Sequence, residues 1–347
     1  MRIRRLALLG GGLAAMLIVL QTTPGIRSYI EAVQAGRISY TATVWPDDDE
    51  AAMPVFASGQ AVALTKADRE LLEEIQQEAA KRNIAPIDAK LDRVWKAIPG
   101  YNGLEVDVDE TFRLAQQRML PGSISYVMKE IEPQVQLQDL GAVPVYRGNP
   151  KKPMVSLMIN VAWGNEYLPS MLETLRKEGV HATFFLDGMW LNKNADTAKQ
   201  ILSEGHELSN HAYSHKDMRT ISRSKTVEEI TKTETLLKKL GVANTLFAPP
   251  SGYYNEQTVQ VAAGMKLQTV LWTLDTVDWK KPQPSWIIDR IAKNVEPGSL
   301  ILMHPTASSS QALPSMIKSI KSKGLQLGTV SELLSSKRVP EKSAAES

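Results

Sequence analysis

Cysteine is absent from this 347-residue chain. That excludes disulfides, zinc fingers, iron–sulfur clusters and thiol nucleophiles, and confines any metal to His, Asp, Glu or Asn ligands. An excess of one charge is nearly absent too: 40 Lys+Arg against 38 Asp+Glu leave a formal net charge of +2. A nucleic-acid binder needs a concentrated basic field, so no nucleic-acid partner is expected. Histidine is scarce, at five residues, so any grouping of histidines carries weight. What remains is 43% hydrophobic and 22% charged, the composition of a globular chain of roughly two domains, and not of a collagen, a coiled coil or a wholly disordered protein.

Residues 1–5 carry three arginines and residues 6–20 are an uncharged apolar run. This reads as an export signal over residues 1–24, either a cleaved peptide or an uncleaved membrane anchor. In both cases the rest of the chain leaves the cytosol. Residues 25–60, with Pro46, an acidic run from Asp47 to Glu50, and Pro54, offer little to bury and read as a spacer. Residues 61–150 read as a small α+β domain. Its first helix starts near Thr65 and Asp68 and repeats Leu71, Leu72, Ile75 and Ala79 to Asn83. Leu104, Val106 and Val108 then alternate with acidic residues as a strand, and a second helix covers 111–119. Residues 143–153, with Gly148, Asn149, Pro150 and two lysines, mark the expected boundary.

From residue 155 short apolar runs alternate with helical segments, the pattern of parallel βα units. Seven strands are expected, at 155–161, 182–186, 207–210, 245–248, 268–272, 299–304 and 325–328, with helices at 168–177, 226–240 and 313–321. Seven strands in under two hundred residues suit a doubly wound sheet or a small incomplete barrel, and both bind ligands where strand C-termini meet. Residues 338–347, rich in Ser, Ala, Glu and Lys, read as a disordered tail.

The expected strand ends gather Asn160, Asp187, His211, His215, the turn from Ala248 to Gly252, Asp275, Asp278, Trp279 and His304. Two imidazoles four residues apart on a helical turn would face the same way and could share a metal. In this order the segments 205–215, 247–252, 275–279, 302–304 and 157–164 resemble the five motifs of the polysaccharide deacetylase family. The resemblance covers residues 155 to about 334 and is closest to its sporulation-associated, YlxY-type branch. It implies an incomplete (β/α) barrel of about seven strands that removes N- or O-acetyl groups from glycans such as peptidoglycan. It also implies His211 and His215 as ligands of zinc or a similar divalent metal, His304 as the general acid, and Asp275 as the carboxylate tuning it. Trp279, Leu302, Pro249, Pro250 and Tyr253 would line the substrate pocket.

Three positions depart from the family pattern. Asn160 stands where the resemblance places the base aspartate, Val161 where it places a metal-binding aspartate, and Ala248 where it places the arginine that orients the base. An amide accepts no proton near neutral pH, so Asn160 cannot activate a metal-bound water, and valine offers a metal nothing. Loss of the arginine together with its carboxylate partner leaves no unpaired charge behind. The expectation is an exported protein of the bacterial cell envelope, secreted or anchored on the outer face of the cytoplasmic membrane. It binds cell-wall glycan, with hydrolysis reduced or lost and metal retention left open by Val161. Two rivals are an active deacetylase with a relocated base or ligand, Asp187 or Glu166, and a non-enzymatic envelope scaffold.

Overall fold

The computed structural model describes residues 64–117 and 123–339. The expected export segment, the spacer and nearly all of the tail lie outside them. Helix α1 (Lys66–Arg82) buries Ile75 and Ala79, residues one helical turn apart. It is followed by hairpin strands β1 (Lys90–Asp92) and β2 (Lys96–Ile98), paired antiparallel. Strand β3 (Gly103–Val106) pairs antiparallel with β4 (Met128–Ile131), with helix α2 (Val108–Gln117) between them in sequence. Val108, expected to extend the strand, instead opens the helix. The Asp107 carboxylate accepts the Glu110 N–H at 3.0 Å and its carbonyl the Thr111 N–H at 2.9 Å, so the residue acts as a helix N-cap and ends the alternation.

The main sheet is parallel. Its strands are β5 (Met154–Val161), β6 (Thr183–Leu186), β7 (Glu207–Asn210), β8 (Leu246–Phe247), β9 (Gln268–Thr269), β10 (Leu274–Asp275), β11 (Leu300–Met303) and β12 (Gln326–Gly328). They run in the order β10-β11-β5-β6-β7-β8-β9, with β12 also paired to β5. This is the expected incomplete barrel. Seven of the strands fall at the expected places, and the added one, β10, is a two-residue edge strand bonded to β11, too short to show a period of two.

Helices α3 (Leu168–Lys177), α4 (Gly188–Lys193), α5 (Ala195–Ser203), α6 (Arg223–Lys239), α7 (Glu256–Gly264), α8 (Pro284–Asn294) and α9 (Ala307–Ser322) alternate with these strands. A short α10 (Val330–Leu334) follows β12. Strand alternation divides β5 between two cores. Val155, Leu157, Ile159 and Val161 pack with residues of α3, α8 and α9, whereas Met154 and Met158 pack with Phe185, Leu246 and Ala248 in a separate cluster. Register keeps the strand ends level, since Val161 pairs with Leu186, Leu186 with Asn210, and Asn210 with Phe247. The residues that follow these ends therefore emerge side by side.

Residues 143–153, expected as a boundary, are woven into the body. Val145 is fully buried and bridges to Lys96 and Ala97 on one side and to Val270 on the other. Asn149 donates its amide to the Pro99 carbonyl at 2.9 Å. The described residues from Lys66 onward form one compact unit. Among the described residues no helix is long and apolar enough to cross a membrane.

Candidate functional site

A cavity of about 390 Å³ opens at the C-terminal ends of the strands. Asn160, Trp163, His211, His215, Ser251, Tyr253, Trp272, Asp275, Trp279, Leu302 and His304 line it, together with Ala162. A larger one, about 730 Å³, lies at the starts of β8 and β9 and is lined by neither histidine nor carboxylate. Chemistry, not size, marks the smaller cavity as the site.

His211 and His215 meet here, but not on a helix. Residues 211–215 are a loop turned twice through the left-handed region, with φ of 59° at Ala212 and 50° at His215. The Asn210 side chain accepts the Ala212 N–H at 2.8 Å, and buried Glu229 of α6 accepts the N–H groups of Tyr213 and Ser214 at 3.2 and 2.7 Å. The two rings end 5.3 Å apart between centroids. His211 Nδ1–H donates to the Ala248 carbonyl at 2.7 Å, which leaves the Nε2 lone pair free, the tautomer a metal ligand needs. Burial pushes the His211 imidazole down to about 3, and burial lowers His215 as well. Both are therefore neutral at pH 7.

His304 follows β11, and its Nδ1–H donates to Asp278 Oδ1 at 2.8 Å while its backbone N–H donates to Asp278 Oδ2 at 2.6 Å. Ser309 Oγ–H adds a third bond to Oδ2 at 2.5 Å. Burial pushes the Asp278 carboxyl up, but the hydrogen bonds and charge of His304, with Ser309, outweigh it and hold the group below the usual carboxylate range. The carboxylate that orients His304 is thus Asp278 and not Asp275, because an Asp at the start of a 3₁₀ turn facing the β11 end reaches both the ring and the backbone. Asp275 lines the cavity instead, where burial raises its carboxyl.

Of the expected pocket residues, Trp279, Leu302 and Tyr253 line the cavity. Pro249 and Pro250 do not; both are buried beneath the turn, whose positive φ of 54° at Ser251 presents that residue instead. Trp163, absent from the expected pocket, is 48% exposed and stacks on His304, with centroids 5.9 Å apart and planes 8° apart. Its signal was legible as an aromatic two residues past a strand end. Trp272 was missed because it follows a strand expected to run to its own position.

Asn160 lies on the inner face of β5 and borders the cavity, with its Oδ1 buried and without a hydrogen-bond partner among the described residues. Val161 faces the other way, fully buried in the apolar layer between sheet and helices. Ala248 is also fully buried. Asp187 caps α4 by accepting the Trp190 N–H at 2.9 Å, and burial pushes it up to about 6. It lines a neighbouring cavity with His215. Glu166 is exposed and lines neither. Among the described residues, no group of three His, Asp or Glu side chains could hold a metal ion.

The fold and its histidine rim belong to the class of incomplete barrels that carry carbohydrate deacetylases. The profile of that name, polysaccharide deacetylase, matches residues 147–270. The chain is 42% identical over 279 residues to the uncharacterized protein YlxY of Bacillus subtilis (strain 168), covering 80% of this chain and 88% of that one. It is 31% identical over 222 residues to a peptidoglycan-N-acetylglucosamine deacetylase of Bacillus cereus, covering 59% and 81%. Among solved structures it matches wild-type BA3943, a CE4 family pseudoenzyme from Bacillus anthracis, at 42% identity and a TM-score of 0.71, covering 78% and 96%. A BA3943 mutant with restored enzymatic activity matches at 41% and the same score, covering 78% and 99%. The chain belongs to the polysaccharide deacetylase family.

Deacetylases of this family are generally metal-dependent. The residues present here do not fit a catalytic metal. Two imidazoles supply two ligands, and catalytic zinc sites take three from the protein and keep a position for water. Val161, at the position the resemblance gives to the third, points into the apolar layer.

Proposed function

We propose that this chain is an extracytoplasmic, peptidoglycan-binding member of its family in which the hydrolytic step is lost. The observation that carries the reading is the pair Asn160 and Ala248. Amide hydrolysis in such a site needs a base to deprotonate the attacking water, and an amide at 160 has no basicity to offer. Asn160 Oδ1, buried and without a hydrogen-bond partner among the described residues, supports the reading that a carboxylate–guanidinium pair has been lost here. Removing a general base costs about 10²- to 10⁴-fold, and a site with two metal ligands would hold zinc only weakly.

The resemblance to BA3943, a pseudoenzyme by its own description, supports the same conclusion. The peptidoglycan deacetylase relatives support cell-wall glycan as the ligand. Export through residues 1–24, either cleaved or retained as an anchor, would place the folded part at the outer face of the membrane. A role in sporulation rests on the branch resembled.

Acetate release from N-acetylated peptidoglycan, with zinc or cobalt added, tests the reading. The native chain is expected to be silent, and the Asn160→Asp/Val161→Asp/Ala248→Arg variant active. Because Val161 is fully buried in an apolar layer, Asn160→Asp/Ala248→Arg is assayed beside it, with circular dichroism to confirm folding. Acetate release by the native chain at rates like those of intact relatives would sink the proposal.

A further inference from the structure

Outside its histidines, the cavity wall carries four aromatic side chains, Trp163, Tyr253, Trp272 and Trp279, and one carboxylate, Asp275. Among the described residues no lysine or arginine lines it. The nearby cations sit against other groups: Arg219 lies 3.7 Å from the Tyr253 ring centre and pairs with Asp217, and Lys280 lies 4.9 Å from that of Trp279. Arg290 donates Nε–H to the backbone carbonyl of Asp275 at 2.9 Å.

The Asp275 carboxylate uses Oδ1 to accept the Val277 N–H at 2.6 Å. Its Oδ2 has no hydrogen-bond partner among the described residues. Two of the aromatic walls are set in place by glycine. A Cβ on Gly252, where φ is +69°, would fall 2.6 Å from the Trp272 ring. One on Gly164, where φ is +85°, would fall 2.0 Å from the Pro305 carbonyl oxygen. Trp272 therefore presses on bare backbone, and the turn carrying Trp163 is locked against Pro305.

Aromatic faces around a single free carboxylate oxygen make a receptor for an organic cation. Indoles take the apolar face of a pyranose, and an ammonium on that ring gains both the carboxylate and the π-faces. A neutral N-acetyl group offers the carboxylate a single uncharged N–H and the π-faces no cation, so it gains less from both. A neutral donor offsets less of the desolvation of the half-buried carboxylate than an ammonium does. With two ligands at most for a metal, no dication offsets Asp275.

We propose that this cavity recognises the amine that N-deacetylation leaves behind, binding glucosamine residues of a partly deacetylated glycan with their ammonium on Asp275. The inference rests on the glycan-binding reading above and gives it a ligand: the site reads the product of its relatives' reaction, and no bond is made or broken.

The test titrates the full chain, in buffer containing EDTA, with β-1,4-linked tetramers of glucosamine and of N-acetylglucosamine, followed by tryptophan fluorescence and calorimetry. The amine tetramer is expected to bind at least about tenfold tighter. Asp275→Asn should bring the two tetramers to within about twofold of each other, and Trp163→Ala should weaken both. Tetralysine, equal in charge but without sugar faces, should bind at least about tenfold more weakly than the amine tetramer. Equal or tighter binding of the acetylated tetramer overturns the inference and leaves glycan binding standing. Binding of neither tetramer overturns both. An amine preference that survives Asp275→Asn, or is matched by tetralysine, also overturns it.

Discussion

Asp278 is fully buried and holds three hydrogen bonds, two of them from His304. Hydrogen bonds to a charged group are worth about 1.5–3 kcal/mol each, and an amide at this position would set a donor against the donors of His304 and Ser309, so Asp278→Asn is expected to destabilise the chain by about 3 kcal/mol at pH 7. The pH dependence follows from the direction of its shift. A carboxyl held below the ordinary value of 3.8 contributes stability that is fully present above pH 3.8 and is lost as pH falls through its lower folded value. The gap between the native chain and Asp278→Asn should therefore begin to narrow as pH falls below about 3.8 and go on narrowing towards the lower folded value. Urea denaturation at stepped pH checks both statements, and a gap that does not narrow at all below pH 3.8 would exclude the carboxylate as its source. At this scale the sequence was largely readable. His211, His215, His304, Asn160 and Trp279 could be picked out because strand ends carry chemistry in a barrel. Which of two aspartates three residues apart faces His304 depends on a 3₁₀ turn that no pattern in the letters encodes, and the apolar orientation of Val161 depends on the strand's phase at its last residue.

At the scale of elements, the histidine pair is positioned by a loop and a helix, not by helical spacing. The i, i+4 rule puts two side chains on one face only when the residues between are helical, and here Ala212 and His215 both have positive φ. Glu229 of α6 supplies the constraint, accepting the N–H groups of Tyr213 and Ser214 and, at 2.8 Å, the Ser214 hydroxyl. Glu229→Ala would leave those part-buried donors without their acceptor, at about 1–3 kcal/mol in total. Backbone amides of residues 211–215 are then expected to exchange hydrogen faster, while those of β5 change only with the global loss of stability. Uniform protection loss across the sheet would show that Glu229 supports the fold and not the loop. The helix pattern of α6 was legible from its apolar repeat, but the long-range bonds of Glu229 were not, since a charged residue within a helix reads by default as solvated surface.

Over the whole molecule, the amino-terminal α+β portion and the barrel are joined by more than the chain. Asn102 N–H donates to the Ser336 carbonyl at 2.8 Å, and Arg338 donates to the Asn102 carbonyl at 2.9 Å while lying over the Tyr101 ring. Ala97 and Val145 share a buried cluster with Val270, Leu300 and Leu333 of the barrel. Buried Lys152, at the entry to β5, donates Nζ–H to the carbonyls of Glu332 and Ser335 at 2.5 and 2.8 Å. Pro, Gly, Asn and Lys in residues 143–153 look like linker chemistry from sequence, because the composition that makes flexible linkers also makes tight, hydrogen-bonded connectors. A shared apolar cluster of this kind couples the unfolding of the parts it joins. The chain is therefore expected to show one calorimetric transition for residues 66–337, and deletion of residues 66–142 should lower the melting temperature of the remaining barrel by several degrees or more, since it strips Val145, Val270 and Leu333 of their cover. Two resolved transitions in the full chain, with the later one unmoved by the deletion, would instead mean that the barrel is an independent domain and that the amino-terminal portion can be assigned its own function.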